Sequence, residues 1–453
     1  MKSLFFLFLL ATINLFGQTP ADSRINTIVF KAVNVVPMDT ERILENQDVI
    51  VENGKIISIK PAAKIKVENA IVIDGKGKYL MPGLAEMHAH IPQGDDLQPM
   101  KDVLSLFVAN GVTTIRGMLG HPKHIVLRGM VQRGEILGPH VYTSGPSFNG
   151  ISVKTPEGGE KMVREQKDLG YDFLKLHPGL TLTNFNAIVK TANEVGITYG
   201  GHVSSGVGVW RAIDANYATI DHLDGFIEGM VPGIEAMTDQ EIGFFGLFVG
   251  KKADISQLPR LVTGLREHRV WVVPTQSLAE RWIAADKSPE TLRAAPEMKY
   301  MSPTTLDQWV ENKKRQMSVA GYNAEEVAKY VALRRQIIKA CSQGGVGMLL
   351  GSDAPQVFNV PGFSIHHELR YLVDSGMTPF EALKTGTVNV ATFYNLTQSS
   401  GTVKAGNVSD LVLLNANPLK DIQATTSIAG VMMGKDWLSR EYLDAELKRL
   451  EKK

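Results

Sequence analysis

Between residues 81 and 397 the sequence alternates between short apolar runs of strand length and longer runs with helical periodicity, and this constrains the fold more than any other feature. The strand candidates are GLAEMHAHI, VTTIRGM, HVYTSGP, YDFLKLH, ITYGGHV, YATIDHL, WVVPT and VGMLLGSD. Helical patterns fill the gaps: a stretch near Leu97 to Asn110, then MVREQKDLG, NFNAIVKTANEVG and EEVAKYVALRRQIIKACSQGG, each apolar at i, i+3 and i+4. Thr378-Pro379-Phe380-Glu381 has the form of a capping box with proline at the first helical position. Eight βα units in about 300 residues predict an α/β fold, a (β/α)8 TIM barrel. The longer gaps, Gly225 to Val270 and Gln276 to Gly345, are predicted to fold over the barrel mouth.

Outside this region the pattern changes to β-rich runs, INTIVFKAVNVVPM, QDVIVENGKIISI and AIVIDGKGKYLMPG, with Asn53-Gly54 as a tight hairpin turn. A similar pattern returns in GTVKAGNVSDLVLLNANPL and SIAGVMMGKDWL. The two ends are therefore expected to meet in a small β-sandwich domain, residues 24–80 with 398–440, leaving 441–453 as a C-terminal tail. At the start, Lys2 precedes the apolar run Leu4 to Leu10, and small or polar residues follow at Gly17, Gln18 and Thr19. This reads as a signal peptide over residues 1–17, too short for a stable membrane anchor, and predicts a periplasmic or secreted product. The single cysteine, Cys341, excludes an intramolecular disulfide. Lys and Arg total 48 against 47 Asp and Glu, so no net field draws the chain to nucleic acid, and the expected partner is a small molecule. Assembly as a homo-oligomer stays open.

The chemistry-bearing residues fall at the ends of the predicted strands. In a strand, side chains two apart share a face, so His88 and His90 present two imidazoles to one point. Lys175 ends YDFLKLH, His202 ends ITYGGHV, His222 ends YATIDHL and Asp353 ends VGMLLGSD. Barrel chemistry gathers at the C-terminal ends of strands, which brings these six groups to one mouth.

These residues sit in motifs that resemble the amidohydrolase superfamily, in its imidazolonepropionase-like and prolidase-like branch: DGKGKYLMPGLAEMHAH, GVTTIR, DFLKLHPG, GHV followed by IDHLDG, LLGSDAP, HHELRYLVDSGMTPFEALKTGT and GTVKAGNVSDLVLL, in that order. The resemblance implies two divalent metal ions, zinc by expectation. His88 and His90 would bind one, His202 and His222 the other, and Lys175 would bridge them as a carboxylated lysine. Asp353 would bind the first metal and carry the proton. Neutral imidazoles and carboxylates are the donors that Zn²⁺, Mn²⁺ and Co²⁺ share. Two ions flanking a water would lower its pKa and supply hydroxide at neutral pH.

The expected reaction is hydrolysis of C–N bonds in dipeptides or N-acyl amino acids. Cyclic amides of the imidazolone type, lactones and phosphotriesters are alternatives on the same mechanism, and a non-catalytic ligand-binding protein is an alternative of another class. Tyr142, His177 and His366 are weaker candidates for holding substrate, with Ser144, His121, His124 and His367 beside them; His140 and His268 read as structural. One departure from the family pattern is Ile115-Arg116-Gly117, where relatives commonly carry Val-Arg-Asp.

Overall fold

The structure, a computed structural model, describes residues 27–63 and 69–452; the predicted signal segment lies outside them. The N-terminal strands are β1 (Thr27–Val35), β2 (Leu44–Glu52), β3 (Lys55–Pro61), β4 (Ala70–Asp74) and β5 (Tyr79–Pro82). Next come β6 (Leu84–Ala89), β7 (Val112–Gly117), β8 (His140–Thr143), β9 (Phe173–Leu176), β10 (Thr198–Gly201), β11 (Thr219–Asp221) and β12 (Trp271–Val273). The last three are β13 (Leu411–Leu414), β14 (Ile428–Met433) and β15 (Asp436–Ser439).

The two chain ends do meet, in one hydrogen-bonded sheet ordered β15-β14-β13-β5-β1-β2-β3, with β4 alongside β1. The joint is β5, antiparallel to β13 on one edge and parallel to the end of β1 on the other. Its pairing makes a continuous sheet; a sandwich of two stacked sheets is not shown. Asn53 and Gly54 turn β2 into β3 with φ of 49° and 78°, the left-handed conformation a primed hairpin turn requires. Residues 441–453, set aside as a tail, carry most of the helix Arg440–Leu450, capped by Ser439. Arg449 and Lys452 tie this end to Asp102 of helix Leu97–Ala109, each at 3.1 Å.

The central region is α/β with parallel sheets, β6-β7-β8 and β9-β10-β11-β12. Every residue of β6 and β9 is buried, as expected of parallel strands covered on both faces. Parallel bridges Ser144 to Phe173 and Phe148 to Leu176 link β8 to β9. The eighth predicted strand, VGMLLGSD, is an irregular link instead of a ladder. It bonds to β12 through Leu349 N–H to Val272 O at 2.9 Å, and to β6 through Met87 N–H to Leu350 O at 2.8 Å. Glycine is needed along it: a side chain at Gly347 would fall 2.5 Å from the Trp271 ring, and one at Gly351 2.5 Å from Val273. Glycine lets the chain pass where a regular strand with side chains would not fit. The predicted helices form as Leu97–Ala109, Pro156–Asp168, Leu182–Val195 and Ala324–Gln343, and Thr378 with Glu381 makes the expected capping box.

Candidate metal centre

His88 on β6, His90 just beyond it, Lys175 on β9, His202 after β10, His222 after β11 and Asp353 after the irregular link all reach the same end of the parallel strands. Asp353 Oδ1 lies 3.0 Å from His90 Nε2 and 3.7 Å from His88 Nε2, and Asp353 Oδ2 lies 3.8 Å from His222 Nδ1. His88, His222 and Asp353 offer ligand atoms all within 4.8 Å of one another. The imidazole rings of His88 and His222 stand 4.4 Å apart, and those of His202 and His222 4.5 Å apart. His222 and Asp353 hold φ of 65° and 63°, conformations that non-glycine residues adopt at a cost of about 1–3 kcal/mol where the surroundings impose them.

The electrostatics favour ligand forms. Burial, then the neighbouring cations Lys175 for His88 and the nearby imidazoles for His222, push both histidines well below the ordinary 6.5, so they stay neutral with a lone pair to donate. Burial lowers Lys175 to about 8, against the opposing pull of Asp221 and Asp353. The Lys175 amine is wholly enclosed, has no hydrogen-bond partner, and stands 3.7 Å from Asp221 Oδ2. Asp353 Oδ1 also lacks a hydrogen bond. Leaving such groups dry and unpaired is costly, and a divalent cation would satisfy the imidazoles and carboxylate. The residues present fit a metal.

A supporting layer surrounds these residues, and sequence reasoning missed it. His202 Nδ1 pairs with Asp224 Oδ2 at 2.9 Å, and His222 Nδ1 with Thr275 Oγ1 at 2.8 Å, fixing ring orientation as outer partners of metal-binding histidines do. Burial alone would raise Asp221, but Arg116 and Lys175 outweigh it and hold the carboxylate below its usual range. Arg116 spans the sheet, donating to Met87 O at 2.8 Å and to Asp221 at 3.3 Å. Glu86 accepts the N–H groups of His88 at 3.0 Å and Ser352 at 2.8 Å, and the Ser352 hydroxyl, so it locks the Asp353 segment against β6. Gly201 has φ of 120°, and a side chain there would fall 2.7 Å from Lys175 Cδ; the second glycine of TYGG makes room for the lysine. The sequence signal for Asp221 and Asp224 was present, since both lie within IDHLDG.

The weaker candidates divide. His177 lies beside the cluster, its ring 4.9 Å from His202, lowered by burial and by Lys175. Tyr142 stacks on Tyr394 at 3.8 Å in a cavity of about 540 Å³ at the opposite, N-terminal ends of the strands, so the structure does not bring it to the metal cluster. His366 bonds Thr425 Oγ1 at 3.0 Å, in a packing contact with the C-terminal segment. His367 pairs with Glu297 at 3.1 Å, and Ser144 donates to Gly117 O at 3.2 Å. His121 and His124 cap helix Pro122–Gln132. His140 and His268 bond Asp410 and Asn216, the structural roles expected of them. A cavity of about 740 Å³ opens against His202 and Asp224.

The Amidohydrolase family pattern matches residues 79–435, a span that contains every one of these candidate ligands. The chain belongs to the amidohydrolase family. An adenine deaminase of Desulforamulus reducens is 23% identical over 416 residues, which is 88% of this chain and 55% of that protein. The chain thus spans about half the length of this relative. A dihydroorotase of Pediococcus pentosaceus is 23% identical over 415 residues, covering 84% of this chain and 88% of its own. Among solved structures, a Xaa-Pro dipeptidase with methionine bound in its active site superposes with a TM-score of 0.64 at 17% identity, covering 91% of this chain and 100% of its own. At that identity the likeness concerns the fold.

Proposed function

We propose that this amidohydrolase-family chain is an exported hydrolase that opens C–N bonds in small substrates, dipeptides or N-acyl amino acids, at a two-metal centre. His88, His90, His202, His222 and Asp353 would hold the metals directly, and Lys175 would join them after reacting with carbon dioxide. In that step the neutral amine forms an N–C bond to carbon dioxide and a proton leaves the nitrogen, giving an anionic carbamate. The observation that carries the reading is the enclosed Lys175 amine, without a hydrogen bond and 3.7 Å from Asp221 Oδ2, where burial disfavours the lysine cation. The parallel strands and the links that join them support a (β/α)8 barrel over residues 81–397.

Divalent ions held there would supply an activated water and polarise the scissile carbonyl. Asp353, with one oxygen near His90 and the other near His222, is placed to take a proton from the attacking water and return it to the leaving nitrogen. Glu86 and Ser352 hold the Asp353 segment in register with β6, while Asp224 and Thr275 set the imidazole rings. Phe245 lies 5.2 Å from His222 and 6.0 Å from His202 and keeps bulk water off that side. The test is elemental analysis of the mature protein together with turnover against dipeptides, N-acyl amino acids, cyclic amides and lactones. Two metal equivalents and cleavage of a C–N substrate are expected; no C–N turnover by the metal-loaded protein overturns the reading.

A further inference from the structure

The 740 Å³ cavity beside His202 has a one-sided chemistry. Trp210, Met237 and Phe244 give it apolar walls, Glu228 lies along it, and the exposed Glu235 and Asp239 stand at its rim. Among the described residues no lysine or arginine lines it. The carboxylates are not equivalent. Asp224 is committed to the His202 ring and to the Val203 N–H at 3.1 Å. Glu228 keeps one oxygen, Oε2, that is buried and without any hydrogen-bond partner. The cationic side chain closest in effect, Arg334, is spent elsewhere, on His222 O at 2.7 Å, Pro274 O at 3.0 Å and Gln276 Oε1 at 3.1 Å.

We infer that this cavity is the substrate subsite for an amine-bearing group on an apolar frame, with Glu228 as the residue that receives the ammonium. A buried acceptor with no donor of its own in the protein is completed by a ligand that brings one, and the aromatic walls suit the hydrocarbon around a cation. A free carboxylate entering the same space would face the carboxyl groups of Glu228, Glu235 and Asp239 with no lysine or arginine among the described lining residues, so the end of the substrate that bears the acid points elsewhere. Burial and the Asp224 charge raise Glu228 to about 8 among the protein's own groups, and an entering ammonium supplies the counter-charge that favours the ionised carboxylate. Deepening the reading above, on which it rests, this places a dipeptide's terminal ammonium, or an amine-bearing acyl chain, beside His202.

The test separates binding from turnover. Titration calorimetry of the full metal-loaded protein would compare 2-phenylethylammonium, 2-phenylethanol and 3-phenylpropionate, probes of one shape and three charges. The ammonium should bind roughly tenfold more tightly than the alcohol, and the carboxylate most weakly. Glu228→Gln should erase that preference, Glu228→Asp should keep part of it, and the rim variant Glu235→Gln should leave it nearly intact. Equal binding of the three probes, no measurable binding of the ammonium, or a preference that survives Glu228→Gln would overturn the inference. Far-ultraviolet dichroism on each variant excludes unfolding as the cause. If amides with and without an amine are cleaved equally fast, the inference fails and the hydrolase reading stands; if the binding preference holds and no amide is cleaved, the reverse is true.

Discussion

The two ends of the parallel strands treat their ionic side chains in opposite ways. At the N-terminal ends the ionic groups are mated: Arg128 with Asp172 at 2.6 Å, and His140 with Asp410 at 2.9 Å. At the C-terminal ends the Lys175 amine, Asp353 Oδ1 and His177 Nδ1 are left without hydrogen bonds inside the protein, and two residues of the cluster hold left-handed backbone. Folding favours the first arrangement and works against the second. The larger deficit therefore marks the cluster that could hold a cation, and a cavity with polar walls does not by itself mark a reactive site. Tyr142 lines the other cavity, where the Arg128–Asp172 and His140–Asp410 ion pairs are made within the protein.

The comparison breaks first at Asp353. Asp353→Asn should leave the metal content close to that of the wild type while turnover falls by roughly a thousandfold, the scale of a lost proton-transfer group. Near-normal activity in that variant would remove Asp353 from the chemistry. Lys175→Ala should cost both metal and activity, with metal equivalents falling below two by elemental analysis. A short-chain carboxylic acid added to this variant should restore part of the activity, because it can supply the missing anion; a fully active Lys175→Ala enzyme would reject the carbamate.

The candidate ligands were legible in the sequence because each lies at or near the C-terminal end of an apolar run, and such ends can be read from the runs and the turn residues after them. The supporting layer was not, because it is made by partners that only the fold brings together. Glu86 meets Ser352 across 266 positions, and Arg116 meets Asp221 across 105. The predicted eighth strand was legible as an apolar run, but its need for glycine at 347 and 351 shows only once Trp271 and Val273 are seen to press against it. Tyr142 and His366 were drawn in by residue type; their neighbours, Tyr394 and Thr425, place them elsewhere.

Gly201→Ala sharpens the contrast at moderate cost. The new methyl would lie 2.7 Å from both Lys175 Cδ and Leu176 O, on backbone with φ of 120°. It should destabilise the fold by about 1–3 kcal/mol and displace the lysine, so thermal midpoint and metal content fall together. At the other end, Arg128→Ala removes a partly buried ion pair and should cost about 1 kcal/mol of stability while kcat/KM changes less than about twofold. A large loss of activity in that variant would tie the N-terminal face to catalysis and end the contrast drawn here.

The smallest effect belongs to His140. Its hydrogen bond to Asp410, and the attraction of that carboxylate, outweigh partial burial and raise the imidazole above the ordinary 6.5. A raised folded-state pKa means the protonated pair stabilises the fold below the unfolded value and that this contribution is lost as pH rises through the folded value. His140 is more than half exposed, so solvent screening keeps the contribution small. The difference in thermal midpoint between wild type and His140→Gln should therefore be largest near pH 6 and should shrink as the imidazole loses its proton on the alkaline side. A difference that grew with pH would mean that the neutral ring is the form the fold prefers, and this end of the strands would then hold its own unmet demand for a ligand.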